Sequence, residues 1–250
     1  MLVRIAENQM RSLIERKTNP TAASKAVADI QFGNYHALVI GANGYKYLPK
    51  LKTAINAAKS IAAKLKTLYG FKVRLLLDPT RDDIIDAFDD YLETLEFQDN
   101  LLIYYARHGW LDESTDCGYW LPINAKMGRR LKWLSNADIK DTLKSLAAEH
   151  VMVGADSGYS GKLTRFASVG YRVAMVSGGL EPAEDNGSGG NSPFARAFLN
   201  ALSDNPDISD GTRLFAAIRR PVILDAKQTP EYSDVRDSGH DGSDFLFVRK

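Results

Sequence analysis

The chain has 250 residues, with 32 Lys and Arg against 31 Asp and Glu, for a formal net charge of +1. That balance argues against nucleic acid and anionic membranes as partners, which need a basic excess, and no run approaches the ~18 apolar residues of a spanning helix. One cysteine, Cys117, excludes an internal disulfide framework and a multi-cysteine zinc site. Arg4, Glu7, Arg11 and Glu15 leave no uncharged signal core, so a soluble cytoplasmic protein is expected.

Residues 1–18 place Leu2, Ile5, Ala6, Met10, Leu13 and Ile14 on one helical face. Asn19-Pro20 breaks that run, and a second short helix is predicted over 21–28. Residues 1–32 therefore read as a helical N-terminal arm, a packing appendage to a domain over 33–250. Tyr35–Gly41 is an apolar run closed by glycine, as a buried strand is. Ala54, Ile55, Ala58, Ile61, Ala62 and Leu65 place a helix over 51–69, and Gly70 is its stop. A second strand follows over 71–77. Thr80 caps a helix over about 81–96, with Asp82 and Asp83 in the first turn. Asn100–Ala106 is a third strand, and Ser135 or Asn136 opens a helix through Ala148. Strands are predicted over 151–155, 171–177 and 244–248. Ser192-Pro193 opens a helix to about Leu202, and another covers 211–219. Strands alternating with helices imply a mostly parallel sheet covered on both faces.

Residues 181–191 read as a flexible loop without the Gly-Lys-Ser/Thr of a phosphate loop. Gly41-Ala-Asn-Gly-Tyr45 is not a dinucleotide fingerprint either. In open α/β sheets function collects at the carboxyl ends of the strands. Two such ends stand out: Tyr105-Ala-Arg-His-Gly109 and Ala155-Asp-Ser-Gly-Tyr-Ser-Gly161. A histidine on one tip beside a small polar turn on the next suggests a base facing a nucleophile.

Residues 35–250 resemble the caspase-like, or metacaspase-like, clan of cysteine peptidases, family C14. The matching pieces run in family order. They include Ala37-Leu-Val-Ile-Gly-Ala-Asn-Gly-Tyr45, Asp99-Asn-Leu-Leu-Ile-Tyr-Tyr-Ala-Arg-His-Gly109, Ala155-Asp-Ser-Gly-Tyr-Ser-Gly161 and Ser192-Pro-Phe-Ala-Arg-Ala-Phe-Leu199. Each is weak alone; together they are specific. The resemblance implies a three-layer α/β fold, a six-stranded and mostly parallel sheet between helices. In that family the histidine of a His-Gly motif activates a cysteine in Asp-Ser-Cys-x-Ser-Gly. The thiolate attacks a peptide carbonyl while backbone N–H groups hold the oxyanion. Carried over, His108 is the base, and Gly109 and Gly158 flank the oxyanion site. Position 158 is also the nucleophile's, and it is glycine.

Other departures accompany it. Members that cut after Arg or Lys use two acidic pocket residues; one is retained as Asp156, and the other position holds Ala57. Arg107 replaces the usual glycine before the histidine, a bulky cation expected to crowd or reshape the cleft. Gly44 stands for a frequent aspartate and Asn191 for a frequent histidine. Some relatives bind calcium through clustered aspartates, but no residues here match that site, so no metal or cofactor is expected. For Asp156, a basic-side-chain pocket and a simple turn cap both remain open readings. For His108, the alternatives are a ligand-binding group and a relic of catalysis. Serine rescue by Ser157 or Ser160 is disfavoured, because Gly158-Tyr-Ser-Gly-Lys162 breaks the Gly-x-Ser-x-Gly pattern at its end. Trp110 and Tyr119-Trp120 either close the sheet edge or line a peptide groove. Asp82, Asp83, Asp86, Asp89 and Asp90 read as a solvated helix face.

The expected function is that of a pseudopeptidase, a binding or regulatory module. Its partner would be a peptide or protein segment in the cleft, or an active peptidase relative. The alternative is a cysteine-type endopeptidase cutting after basic residues, seen as a Cys-to-Gly form at position 158. The accompanying departures at 57 and 107 favour natural loss. A purely structural role, using the arm and an edge strand, is the third reading.

Overall fold

The computed structural model describes residues 32–158, 171–178, 185, 188–234 and 244–250. Both helices expected in the N-terminal arm lie outside the described residues. In chain order the elements are β1 (Tyr35–Gly41), α1 (Ala54–Tyr69), β2 (Lys72–Leu77), α2 (Arg81–Thr94), β3 (Asn100–Ala106), β4 (Gly109–Asp112) and β5 (Cys117–Trp120). Then come β6 (Leu134–Ser135), α3 (Asn136–Ser145), β7 (His150–Asp156), β8 (Tyr171–Val176), α4 (Pro193–Asp204), β9 (Ile208–Asp210), α5 (Gly211–Asp225), β10 (Glu231–Asp234) and β11 (Leu246–Val248).

The main sheet has six strands in the order β10-β8-β7-β3-β1-β2. Neighbouring pairs are parallel except β10 on β8, which is antiparallel. The interior strands are apolar throughout because both faces are covered. Val39, Leu102, Tyr104 and Met152 face a layer of α1, α4 and α5. Leu38, Ile40, Ile103, Tyr105 and Val153 face α2 and α3. Gly41 lets β1 approach α1: a Cβ there would sit 2.7 Å from the Ala54 carbonyl oxygen and the Ala58 methyl. The expected three-layer fold is observed.

Helix starts follow their caps. Thr80 and Asp83 form a reciprocal capping box on α2, and Ser135 and Asp138 form another on α3. The Ser192 hydroxyl accepts from the Ala195 N–H at the start of α4. Two expectations need correction. The sixth strand of the sheet is Glu231–Asp234, whereas the apolar run at 246–248 pairs with β9 in a separate ribbon. Helix α5 passes through Pro221 to Asp225, because Pro221 and Ala217 face solvent, where water satisfies the carbonyl that proline leaves unpaired. The segment after His108 is a hairpin of β4 and β5, extended by β6.

Candidate functional site

Register aligns the strand tips. Gly41 pairs with Ala106, and Ala106 with Asp156, so the turns after β1, β3 and β7 emerge side by side. β2 lies on one side of β1, and β3, β7 and β8 on the other. A cleft at this topological switch is the position expected for a ligand site. Its volume is about 520 Å³, within the ordinary range of ligand pockets. Leu48, Leu51, Trp110, Leu121 and Met127 give it apolar walls. Arg107, His108, Asp156 and Asp185 are its titratable lining residues.

His108 is fixed on several sides. Its N–H donates to the Tyr45 hydroxyl at 3.3 Å. Its carbonyl accepts from the Tyr105 hydroxyl at 3.1 Å and from the Leu121 N–H at 3.0 Å. The Tyr45 hydroxyl in turn donates to the Leu121 carbonyl at 2.7 Å, and the two rings of Tyr45 and His108 lie 4.7 Å apart. Burial pushes the Tyr45 hydroxyl up to about 12, so it stays protonated as a donor. The imidazole Nε2 lies 2.7 Å from the Pro49 carbonyl oxygen. A carbonyl only accepts, so Nε2 carries a proton and Nδ1 is the ring nitrogen left free to act as a base. An imidazole oriented by a third group is the arrangement that nucleophilic catalysis uses.

The turn after β7 supplies no nucleophile to match it. Position 158 is glycine, and its carbonyl oxygen packs against Gly109: a Cβ on Gly109 would sit 2.0 Å from it. Ser157 is 1% exposed and its hydroxyl finds no partner among the described residues, so no group there orients it as a nucleophile. Ser160 lies outside the described residues.

Asp156 is buried on the face of α1 and α4. It accepts from the Ser192 hydroxyl and from the Tyr104 hydroxyl, the latter at 3.3 Å. Burial raises its carboxyl to about 6, against the opposing pull of those two hydrogen bonds. No Lys or Arg among the described residues pairs with it. Arg107 is no counter-ion. Following Ala106 by one residue, it emerges on the other face of the sheet, where Nη2 donates to the Pro79 carbonyl at 3.0 Å. Its guanidinium carbon lies 5.9 Å from the Tyr105 ring centre, and Nε and Nη1 find no acceptor among the described residues. Its guanidinium is therefore held against Pro79 and Tyr105 rather than against Asp156. Ala57 is not brought to the cleft either: it is fully buried in the apolar layer between α1 and the sheet.

Asp185 is the residue that sequence reasoning missed. It accepts from the Thr53 N–H at 2.9 Å, and from the Lys52 N–H and the Thr53 hydroxyl at 2.5 Å each. It thereby closes the N-terminus of α1, whose own cap residue Thr53 accepts no bond there. It also adds a second carboxylate to the cleft, and its charge helps to raise Asp156. The aromatic candidates divide: Trp110 lines the cleft, whereas Trp120 is buried and stacks on Tyr105 at 3.8 Å. The aspartates of α2 are exposed as expected. Among the described residues no three His, Cys, Asp or Glu side chains converge as a metal cage.

A family model described as the caspase domain matches residues 34–238. The chain belongs to the caspase-domain family, peptidase C14. Over 89 residues, 36% of this chain, the caspase domain is 35% identical to mucosa-associated lymphoid tissue lymphoma translocation protein 1 of Homo sapiens. That stretch spans 10% of the human protein's length. The caspase fold is also similar to the crystal structure of protein GSU0716 from Geobacter sulfurreducens, with a TM-score of 0.67 at 17% identity. The match covers 87% of this chain and 97% of that one, and it bears on fold alone. Among the described residues, no helix of this caspase domain is long and apolar enough to cross a membrane.

Proposed function

We infer that this caspase domain is a pseudopeptidase that binds a peptide segment by one of its basic side chains. One observation carries the reading: a buried carboxylate, Asp156, has no cationic partner among the described residues, at the floor of a cleft whose 158 position offers no nucleophilic side chain. An unpaired buried charge is costly, and a ligand guanidinium or ammonium would compensate it. Asp185 supplies a second acceptor for such a cation, and the apolar walls suit its aliphatic stem. His108 would then contact the ligand backbone rather than activate a thiol.

The test is fluorescence anisotropy with a labelled peptide containing one arginine, beside the same peptide with citrulline. Citrulline keeps the shape and removes the charge. The arginine peptide is expected to bind at least about tenfold tighter, with no product released. Equal binding of the two, or hydrolysis that disappears in His108→Ala, would overturn the reading.

A further inference from the structure

The floor of the cleft is acidic, but its rim is not. Lys46, Lys50, Lys52 and Lys126 are all exposed, and each lies within two residues of a residue that lines it. Lys50 and Lys52 alternate in the chain with the lining residues Pro49, Leu51 and Thr53, and Lys126 immediately precedes the lining residue Met127. Among the described residues none of these four cations makes an ion pair. The carboxylates of the surrounding loops are already engaged. Asp78 accepts from the backbone of Asn43 and Gly44, Asp112 pairs with Arg130, and Asp185 closes α1.

Two of the cations converge. The ammonium groups of Lys46 and Lys126 each lie 5.3 Å from the centre of the same Tyr47 ring, and that ring is half exposed. The ring attracts both through its π face. Two like charges gathered on one exposed aromatic beside a cleft form a receptor for an anion, because the anion relieves their mutual repulsion. We propose that the cleft selects a peptide in which the basic residue is flanked by aspartate or glutamate, the basic side chain entering the floor and the acidic flank resting on the Lys46–Tyr47–Lys126 rim. The proposal rests on the peptide-binding reading above and narrows its ligand class. It also assigns the rim a selective role: a purely basic segment would be attracted by Asp156 and repelled at the mouth.

The experiment uses the whole chain and three labelled peptides of equal length. One has arginine in a neutral Ser/Gly/Ala context, one has arginine flanked by glutamates, and one has citrulline flanked by glutamates. Anisotropy is read at low salt and at about 0.5 M NaCl, for the chain as it stands and for the double variant Lys46→Glu/Lys126→Glu. The glutamate-flanked arginine peptide should bind at least about tenfold tighter than the neutral one at low salt. That gain should vanish in the double variant and shrink in high salt, where exposed charges are screened. If the flank adds nothing, or if its gain survives in the double variant, the rim has no such role while the basic-side-chain reading stands. If the citrulline peptide binds as tightly as its arginine counterpart, the proposal falls at the floor instead, and the reading it rests on falls with it.

Discussion

The Nε2 of His108 and the carbonyl oxygen of Pro49 are 2.7 Å apart, and this contact fixes which nitrogen of the ring holds its proton. The loop carrying Pro49 is itself held by Asn43, whose carbonyl accepts from the Leu51 N–H and whose side chain accepts from the Ile55 N–H. At pH 8, nitrogen-15 correlation spectra of the neutral ring should report the Nε2–H tautomer for His108. The Nδ1–H tautomer would contradict the geometry and the role drawn from it.

Asp156 makes the site pH-dependent. Its carboxyl is raised from 3.8 to about 6, so the folded chain keeps a proton that the unfolded chain has already lost in that window. Stability therefore falls as pH rises from about 4 to about 6, by at most on the order of 2–3 kcal/mol from this group. Affinity for a cationic ligand runs the other way and rises through about pH 6 as Asp156 ionises. In Asp156→Asn the affinity should be low and flat with pH, and the stability loss from this group should be absent. Binding that weakens as pH rises through 6 would refute the assignment of Asp156 to the floor.

Asp185 holds the start of α1, and the proposed function gives it a second task in binding the ligand cation. Asp185→Ala leaves the N–H groups of Lys52 and Thr53 without their acceptor at the start of α1. A loss of about 1–2 kcal/mol is expected, as for removal of a helix cap. Urea unfolding should show a lower midpoint at an unchanged slope, and anisotropy should show weaker binding of the arginine peptide. Unchanged affinity in a folded variant would remove Asp185 from the ligand site while leaving its capping role intact.

Arg107 is a buried cation, 2% exposed, whose Nε and Nη1 have no acceptor among the described residues. Replacing it by methionine keeps the aliphatic volume and removes the desolvated charge. Arg107→Met should be neutral or stabilising by about 1 kcal/mol. A loss above about 2 kcal/mol in urea unfolding would show that the contacts with Pro79 and Tyr105 outweigh that cost.

The interior strands were legible in the sequence because burial on both faces leaves an unbroken apolar run, as at 100–106. The starts of α2, α3 and α4 were legible because Thr80, Ser135 and Ser192 act on their own next turn. β10 was not legible, since a short polar edge strand is defined by its partner β8 rather than by its residues. The run at 246–248 looks like a sheet strand, and only tertiary pairing sends it to β9. His108 and Asp156 could be picked out from the strand ends on which they stand. Asp185 could not, because its partner Thr53 lies 132 residues away and nothing local marks the contact. The face taken by Arg107 follows from strand alternation at β3, which the resemblance to relatives obscured.

The most direct test of the central claim is a cleavage assay with fluorogenic peptides ending in Arg, Lys or Asp, run on the chain as it stands beside Gly158→Cys. The chain as it stands should release no product. The variant should cut after Arg or Lys at a rate that falls about 10²-fold or more in Gly158→Cys/His108→Ala, the ordinary worth of a positioned base. Hydrolysis by the chain as it stands, lost in His108→Ala, would contradict the account.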